Sequence, residues 1–214
     1  MRLFLSSYRA GKHDAELLKL VGKGTKFGYI SNSKDYKTPV DRKEKIEENF
    51  DYWASIGLKP EEIDLRQYFN KEGAADLLSK YSFLWLAGGN VFLLRRALSY
   101  SRVDKYLYDA VRKNEVILGG ESAGAIIMGP TLKFSEVEND REDSQHYTPA
   151  PYSQEIIWEG LDFVAYVPVP HYNSSGYIGI DDYISNLEKN KIPYKKMTDD
   201  QAIIINGVKE EFLT

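Results

Sequence analysis

Ser122 lies in the stretch Gly-Gly-Glu-Ser-Ala-Gly at 119–124, after the apolar run Val-Ile-Leu and before Ala-Ile-Ile-Met. A Gly-x-Ser-x-Gly placed between a strand and a helix has the pattern of a nucleophile elbow. The turn is sharp, so the residues flanking the serine must be small, and Gly120, Ala123 and Gly124 meet that demand. The hydroxyl then projects at the carboxyl edge of the sheet, and the N–H of Ala123 faces a developing oxyanion. The helix that begins there adds the positive end of its dipole. The same residues also suit a plain strand–turn–helix in which Ser122 caps the helix.

A serine nucleophile needs a base, and the chain has three histidines. His13 sits among charged residues on a first helix and reads as solvated, while His146 lies in an acidic loop as a surface residue or the competing base. His171 follows Val-Pro-Val-Pro, whose prolines fix the backbone at a strand end, and is the candidate base. A third group should orient the imidazole and stabilise its cation. Glu136, Glu138, Asp140, Asp143 and Glu155 all lie between serine and histidine, and the residues alone leave that choice open. A second oxyanion donor is expected in Gly88-Gly89-Asn90, which ends one strand and opens a helix. The plainer reading of that turn is a helix N-terminus or an anion nest.

These groups need a frame. Strands are predicted at Arg2–Ser6, Phe27–Ser31, Glu62–Leu65, Phe83–Ala87, Val116–Leu118, Phe163–Val167 and Ala202–Ile205. Helical periodicity marks Asp14–Val21, Asp41–Ile56, Lys71–Lys80, Val91–Leu98, Val103–Lys113, Ala123–Met128 and Tyr183–Lys189. Repeated βα alternation favours one parallel sheet with helices on both faces, in a single domain spanning 1–214. Ligands of such sheets sit beyond the carboxyl ends of the strands. Both glycine pairs, 88–89 and 119–120, lie there. Lys133–Tyr152 breaks the alternation with acids and prolines, and a loop of that length is usually functional or mobile. Arg95 and Arg96 are expected on the exposed side of a helix; neither they nor Arg141 is given a role.

Composition narrows the classes. The chain has 214 residues, 43% hydrophobic and 28% charged, with a net charge of −4. That balance fits a globular protein and lacks the basic excess of a nucleic-acid surface. The absence of cysteine excludes disulfides, thiolate metal sites and a thiol nucleophile. No apolar run approaches the roughly 18 residues needed to span a bilayer, and the N-terminal one is too short for a signal peptide. A cytoplasmic protein is expected, with no membrane or nucleic-acid partner and no cofactor. A homodimer is compatible with the sequence.

The chain resembles the peptidase E (α-aspartyl dipeptidase) family, with its cyanophycinase-like members. The resemblance rests on Leu-Ala-Gly-Gly-Asn-Val-Phe-Leu-Leu at 86–94, Gly-Glu-Ser-Ala-Gly-Ala-Ile-Ile-Met at 120–128, Gly-Leu-Asp-Phe…Pro-His-Tyr at 160–172, and Gln-Ala-Ile at 201–203. It implies a three-layer α/β/α, flavodoxin-like fold akin to class I glutamine amidotransferases, with serine in place of cysteine. It further implies Ser122 as nucleophile, His171 as base, Gly89 and Ala123 as oxyanion donors, and no metal. The family's Asn-Asp-Met-Pro stretch, which carries its triad aspartate, is missing. Asn139-Asp140 is the nearest equivalent, and Asp140 is the acid the resemblance selects. The expected activity is hydrolysis of small peptides, dipeptides with N-terminal Asp among them, through an acyl-enzyme. An esterase or amidase with the same triad, and a catalytically silent small-molecule-binding protein, are the other readings.

Overall fold

A computed structural model describes residues 1–136, 142–177 and 179–214. The first half runs β1 (Arg2–Ser6), α1 (Asp14–Val21), β2 (Lys26–Ile30), α2 (Pro39–Ser55), β3 (Lys59–Ile63), α3 (Ala74–Leu78), β4 (Phe83–Leu86), α4 (Val91–Tyr100) and α5 (Asp104–Arg112). It continues with β5 (Ile117–Glu121), α6 (Ala123–Ile126), β6 (Val167–Val169), α7 (Ile180–Lys189), β7 (Tyr194–Lys196), β8 (Ala202–Asn206) and β9 (Lys209–Leu213).

Seven strands form one sheet in the order β3-β2-β4-β5-β1-β8-β9. The first five are parallel to one another, while β8 runs antiparallel to β1 and β9 antiparallel to β8. Side chains alternate across a strand, so each strand supplies both faces. Leu3, Leu5, Leu84, Leu86 and Leu118 point to an aliphatic side, covered by Leu94 and Leu98 of α4, Leu107 of α5 and Ala125 of α6. Phe4, Phe27, Tyr29, Phe83 and Trp85 point to an aromatic side, covered by Leu17 of α1 and Trp53 of α2. There Trp53 and Trp85 meet edge to face with centroids 4.6 Å apart. Gly119 is part of that arrangement, because a Cβ on it would enter the Trp85 ring. The protein is thus a three-layer α/β/α structure on a mainly parallel sheet.

Several elements differ from the sequence expectation for identifiable reasons. β5 runs on through Gly119-Gly120 to Glu121, since its parallel registers with β4 and β1 hold the glycines in the ladder. β3 begins at Lys59, upstream of Glu62, and its Pro60 is tolerated because β3 is an edge strand. Phe163 and Val164 donate to the carbonyl of Met128 and wrap the end of α6, so the strand falls on Val167–Val169 instead. That strand pairs with β7 in a separate two-stranded sheet. β7 (Tyr-Lys-Lys) and β9, with its Lys and Glu, lack an apolar pattern, and β9 is the charged edge that discourages further pairing.

Candidate active site

The end of β5 turns sharply into α6 at Ser122, whose backbone adopts φ 50° and ψ −115°. A non-glycine residue there is strained, and such strain clusters at functional positions. The turn is possible because a Cβ on Gly120 would strike the carbonyl of Gly124. The Ser122 N–H donates to the carbonyl of Ser6 (3.1 Å), which ties the turn to the end of β1. Its side chain makes no cap bond to α6. The hydroxyl is directed at His171 instead, 2.8 Å from Nε2.

His171 follows β6 and Pro170 with φ 61°, and its side chain is 4% exposed. Its backbone N–H donates to Ser7 Oγ (2.7 Å). The flanking Tyr172 N–H goes to Met197 O, and Met197 N–H to Val169 O, so the imidazole is braced from the segment after β7. Nδ1 lies 2.7 Å from Asp199 Oδ1. With Nδ1 carrying the proton, Nε2 is the free acceptor for the serine hydroxyl. Tyr177 stacks on the other side, its ring 3.6 Å from the imidazole centroid and within 4° of parallel.

Asp199 is presented by a tight turn before β8. Gln201 closes that turn: its Oε1 accepts from Thr198 N–H (2.9 Å) and its own N–H donates to Thr198 O (3.0 Å). Ser7 Oγ donates to Asp199 Oδ1 (2.7 Å) and Ser174 Oγ to Oδ2 (2.5 Å). Burial alone would raise the Asp199 pKa, but these hydroxyls and His171 hold it below the usual carboxylate value. Burial pushes His171 below the ordinary imidazole value, against the opposing pull of Asp199 and Glu121. The pair therefore rests as carboxylate beside neutral imidazole at neutral pH, the state in which Nε2 can accept a proton.

Across from Ser122, β4 ends in the turn Gly88-Gly89-Asn90. Asn90 caps α4, its Oδ1 accepting from Leu93 N–H (2.9 Å), and its own N–H donates to Ser33 O (2.8 Å). Gly89 has φ 144°, and a Cβ on it would collide with the Ser33 carbonyl. The Gly88 carbonyl accepts from Ser33 Oγ (2.9 Å) and Lys34 Nζ (2.7 Å). In a trans peptide the N–H lies opposite the C=O, so the Gly89 N–H is turned away from that clamp. Gly89 and Ser122 line one cleft of about 200 Å³ with His171 and Tyr177. Its charged walls are Arg9, Lys34, Lys37 and Lys45, facing Glu48 and Glu121.

A model of peptidase family S51 matches residues 14–212. The chain belongs to peptidase family S51. As a member of S51 it is an enzyme of the serine-peptidase type. It is 26% identical over 153 residues to the uncharacterized peptidase Lmo0363 of Listeria monocytogenes, covering 72% of this chain and 70% of that protein. The uncharacterized peptidase Lin0382 of Listeria innocua is 24% identical over 159 residues, covering 74% and 70%. The fold matches a candidate peptidase E protein from Listeria monocytogenes EGD-e with a TM-score of 0.74 at 20% identity, over 99% of this chain and 96% of that one. A peptidase from an acI-B1 actinobacterium superposes with a TM-score of 0.64 at 13% identity, over 100% and 93%.

The S51 chain brings Ser122 and His171 into contact, with Gly89 on the same cleft and Ala123 next in line after the serine. Asp140, expected as the acid, lies outside the described residues, as do Glu138 and Arg141. Glu136, Asp143 and Glu155 are exposed, and the Nδ1 position is taken by Asp199. Sequence reasoning missed Asp199 because it searched only between serine and histidine. The available signal was Thr-Asp-Asp-Gln before the last apolar strand, read together with an antiparallel direction for that strand. His146 is exposed, and His13 Nδ1 lies 3.7 Å from Glu16. Arg95 and Arg96 are buried, contrary to expectation. Arg95 pairs with Asp104 (2.8 Å), while Arg96 donates to the carbonyls of Tyr147 and Ser153 (2.8 Å each) and so anchors the segment after residue 141. Among the described residues no helix is long and apolar enough to cross a membrane.

Proposed function

We propose that this S51 peptidase cleaves short peptides through an acyl-enzyme on Ser122. The observation that carries the reading is the hydrogen-bonded line from Ser122 Oγ through His171 to Asp199. Ser122 Oγ attacks the scissile carbonyl carbon as His171 Nε2 takes its proton. The amides of Gly89 and Ala123 hold the resulting oxyanion; Ala123 begins α6, so its N–H has no intrahelical partner. Collapse breaks the C–N bond, and the imidazolium returns its proton to the leaving amine. Water then repeats the sequence on the ester, with the same base. Asp199 stays ionised throughout and stabilises the imidazolium.

The cations lining the cleft, Arg9, Lys37 and Lys45 among them, support an acidic substrate. Glu121 lies beside the nucleophile and offers a carboxylate to an N-terminal ammonium. Lys45 is engaged by Glu48 (2.6 Å), whereas the Arg9 guanidinium lies over the rings of Tyr8 and Tyr52 with Nε buried and unbonded. Arg9 and Lys37, which rests over the Tyr36 ring, line the cleft without a carboxylate partner among the described residues, and a peptide with N-terminal Asp fits that placement. The test is turnover of a dipeptide set with Asp, Glu, Leu or Lys at the N-terminus, in the native enzyme and in Ser122→Ala. Preferential cleavage of the acidic members, lost in the variant, is the expected result. Turnover that survives in Ser122→Ala would sink the mechanism, and a preference for Lys or Leu would sink the substrate class.

A further inference from the structure

Lys34 is only 6% exposed, and a lysine is rarely buried without a carboxylate partner. Its Nζ donates instead to a neutral group, the Gly88 carbonyl. That carbonyl already receives the Ser33 hydroxyl, so hydrogen bonding alone does not require a cation there. The turn bearing both residues is rigidly held. Arg42 binds Asp35 (2.7 Å), Ser31 Oγ (2.7 Å) and Glu62 (2.7 Å) around it.

We infer that Lys34 is a positioning residue for the oxyanion hole: with Ser33 it fixes the Gly88–Gly89 peptide, and its charge polarises that peptide so that the Gly89 N–H becomes a stronger donor. The inference rests on the hydrolytic reading above. Hydrogen bonds from an ionised donor are roughly twice as strong as neutral ones, and bonds in a chain reinforce one another in a low-dielectric setting. There is also a charge to offset. Glu121 is a buried carboxylate next to Ser122, and it opposes any negative charge growing on the substrate. Lys34 places a compensating charge on the same cleft.

The charge of Lys34 is itself titratable near physiological pH. Burial lowers its pKa to about 8, with Lys45 and Arg42 from α2 and Lys37 from its own loop pushing the same way and Glu121 from β5 opposing. Above that pH the ammonium loses its proton and the Gly88–Gly89 peptide loses its polarising charge. The rate of the serine's chemistry then falls as pH rises through about 8.

The experiment measures covalent labelling of Ser122 by an alkyl fluorophosphonate, whose phosphoryl oxygen enters the same hole, and separates kinact from Ki between pH 6 and 10. The native enzyme is expected to show kinact declining through about pH 8. Lys34→Met should lower kinact at pH 7 by about 10- to 100-fold with Ki little changed, less than the loss of a direct oxyanion donor. Lys34→Arg should retain most of the rate and abolish the alkaline decline, because arginine does not titrate there. A native profile without the decline overturns the inference, as does a folded Lys34→Met with native kinact, or a Lys34→Arg that keeps the decline. If Lys34→Met fails to fold, the native and Lys34→Arg profiles still decide. Absence of any Ser122 labelling in the folded native protein would instead overturn the serine-hydrolase reading beneath it.

Discussion

Asp199 Oδ1 accepts a 2.7 Å hydrogen bond from Nδ1 of His171, twenty-eight positions further along the chain than the histidine. In the proposed triad the acid therefore comes after the base in sequence and enters the site from the start of β8. Because β8 is antiparallel to β1, its beginning lies at the edge where the parallel strands end. Asp199→Asn is expected to cut kcat by about 10³–10⁴-fold, as loss of the orienting carboxylate does in comparable triads. On the proposed triad Asp140→Asn should leave kcat within about twofold, because His171 Nδ1 already has its carboxylate in Asp199. Steady-state kinetics of the two variants on one peptide would decide between them; the reverse ranking would displace Asp199.

The imidazole sets an acid limb. Burial lowers the His171 pKa from 6.5, and the base must be neutral to act, so kcat/KM should rise with pH through a value below 6.5. Glu121 acts in the opposite direction, favouring the protonated form. Removing that influence in Glu121→Gln lowers the pKa further and moves the limb to lower pH. A pH–rate profile of each enzyme checks the sign, and a limb that shifts upward would contradict it.

Gly89 tolerates no side chain. Gly89→Ala adds a Cβ against the Ser33 carbonyl at φ 144°. Backbone strain of about 1–3 kcal/mol follows, or displacement of the turn. Thermal denaturation should show a lower Tm, and kcat should drop by about 10²-fold as a donor moves out of line. A variant with native Tm and native kcat would remove Gly89 from the oxyanion hole.

Tyr177 holds the face of the imidazole by stacking. Such contacts contribute about 0.5–1.5 kcal/mol, so Tyr177→Ala should reduce kcat by roughly two- to tenfold. Tyr177→Phe keeps the ring and should restore the rate. Equal loss in both variants would assign the effect to the phenol hydroxyl instead.

The α/β architecture, and the Ser122–His171 pair to which we assign nucleophile and base, were legible in the sequence because each has a local signature. Gly120, Ala123 and Gly124 report a tight turn at Ser122, and Pro168 and Pro170 report a fixed backbone at His171. Asp199 has no such signature. Its role comes from strand direction, and an antiparallel strand after five parallel ones reverses which end faces the cleft. Lys34 and Arg96 were hidden for a related reason. Arg96 reads as the exposed side of a helix and Lys34 carries no motif, whereas the fold buries each against carbonyl oxygens contributed by distant turns. β9 escaped notice because an exposed edge strand, rich in Lys and Glu, carries little apolar alternation.

β1 and β8 are neighbours in the sheet, yet they come from opposite ends of the sequence. Ser7, just after β1, and Asp199, just before β8, meet across that seam and support His171 together. A growing chain that has reached α6 holds a reactive hydroxyl with no imidazole, and one that has reached β6 gains the imidazole without its carboxylate. On the proposed triad, catalytic competence is therefore a reading of completion: the site is whole only when the earliest and latest strands have found each other, and clipping β8 and β9 away is expected to abolish turnover without touching the serine.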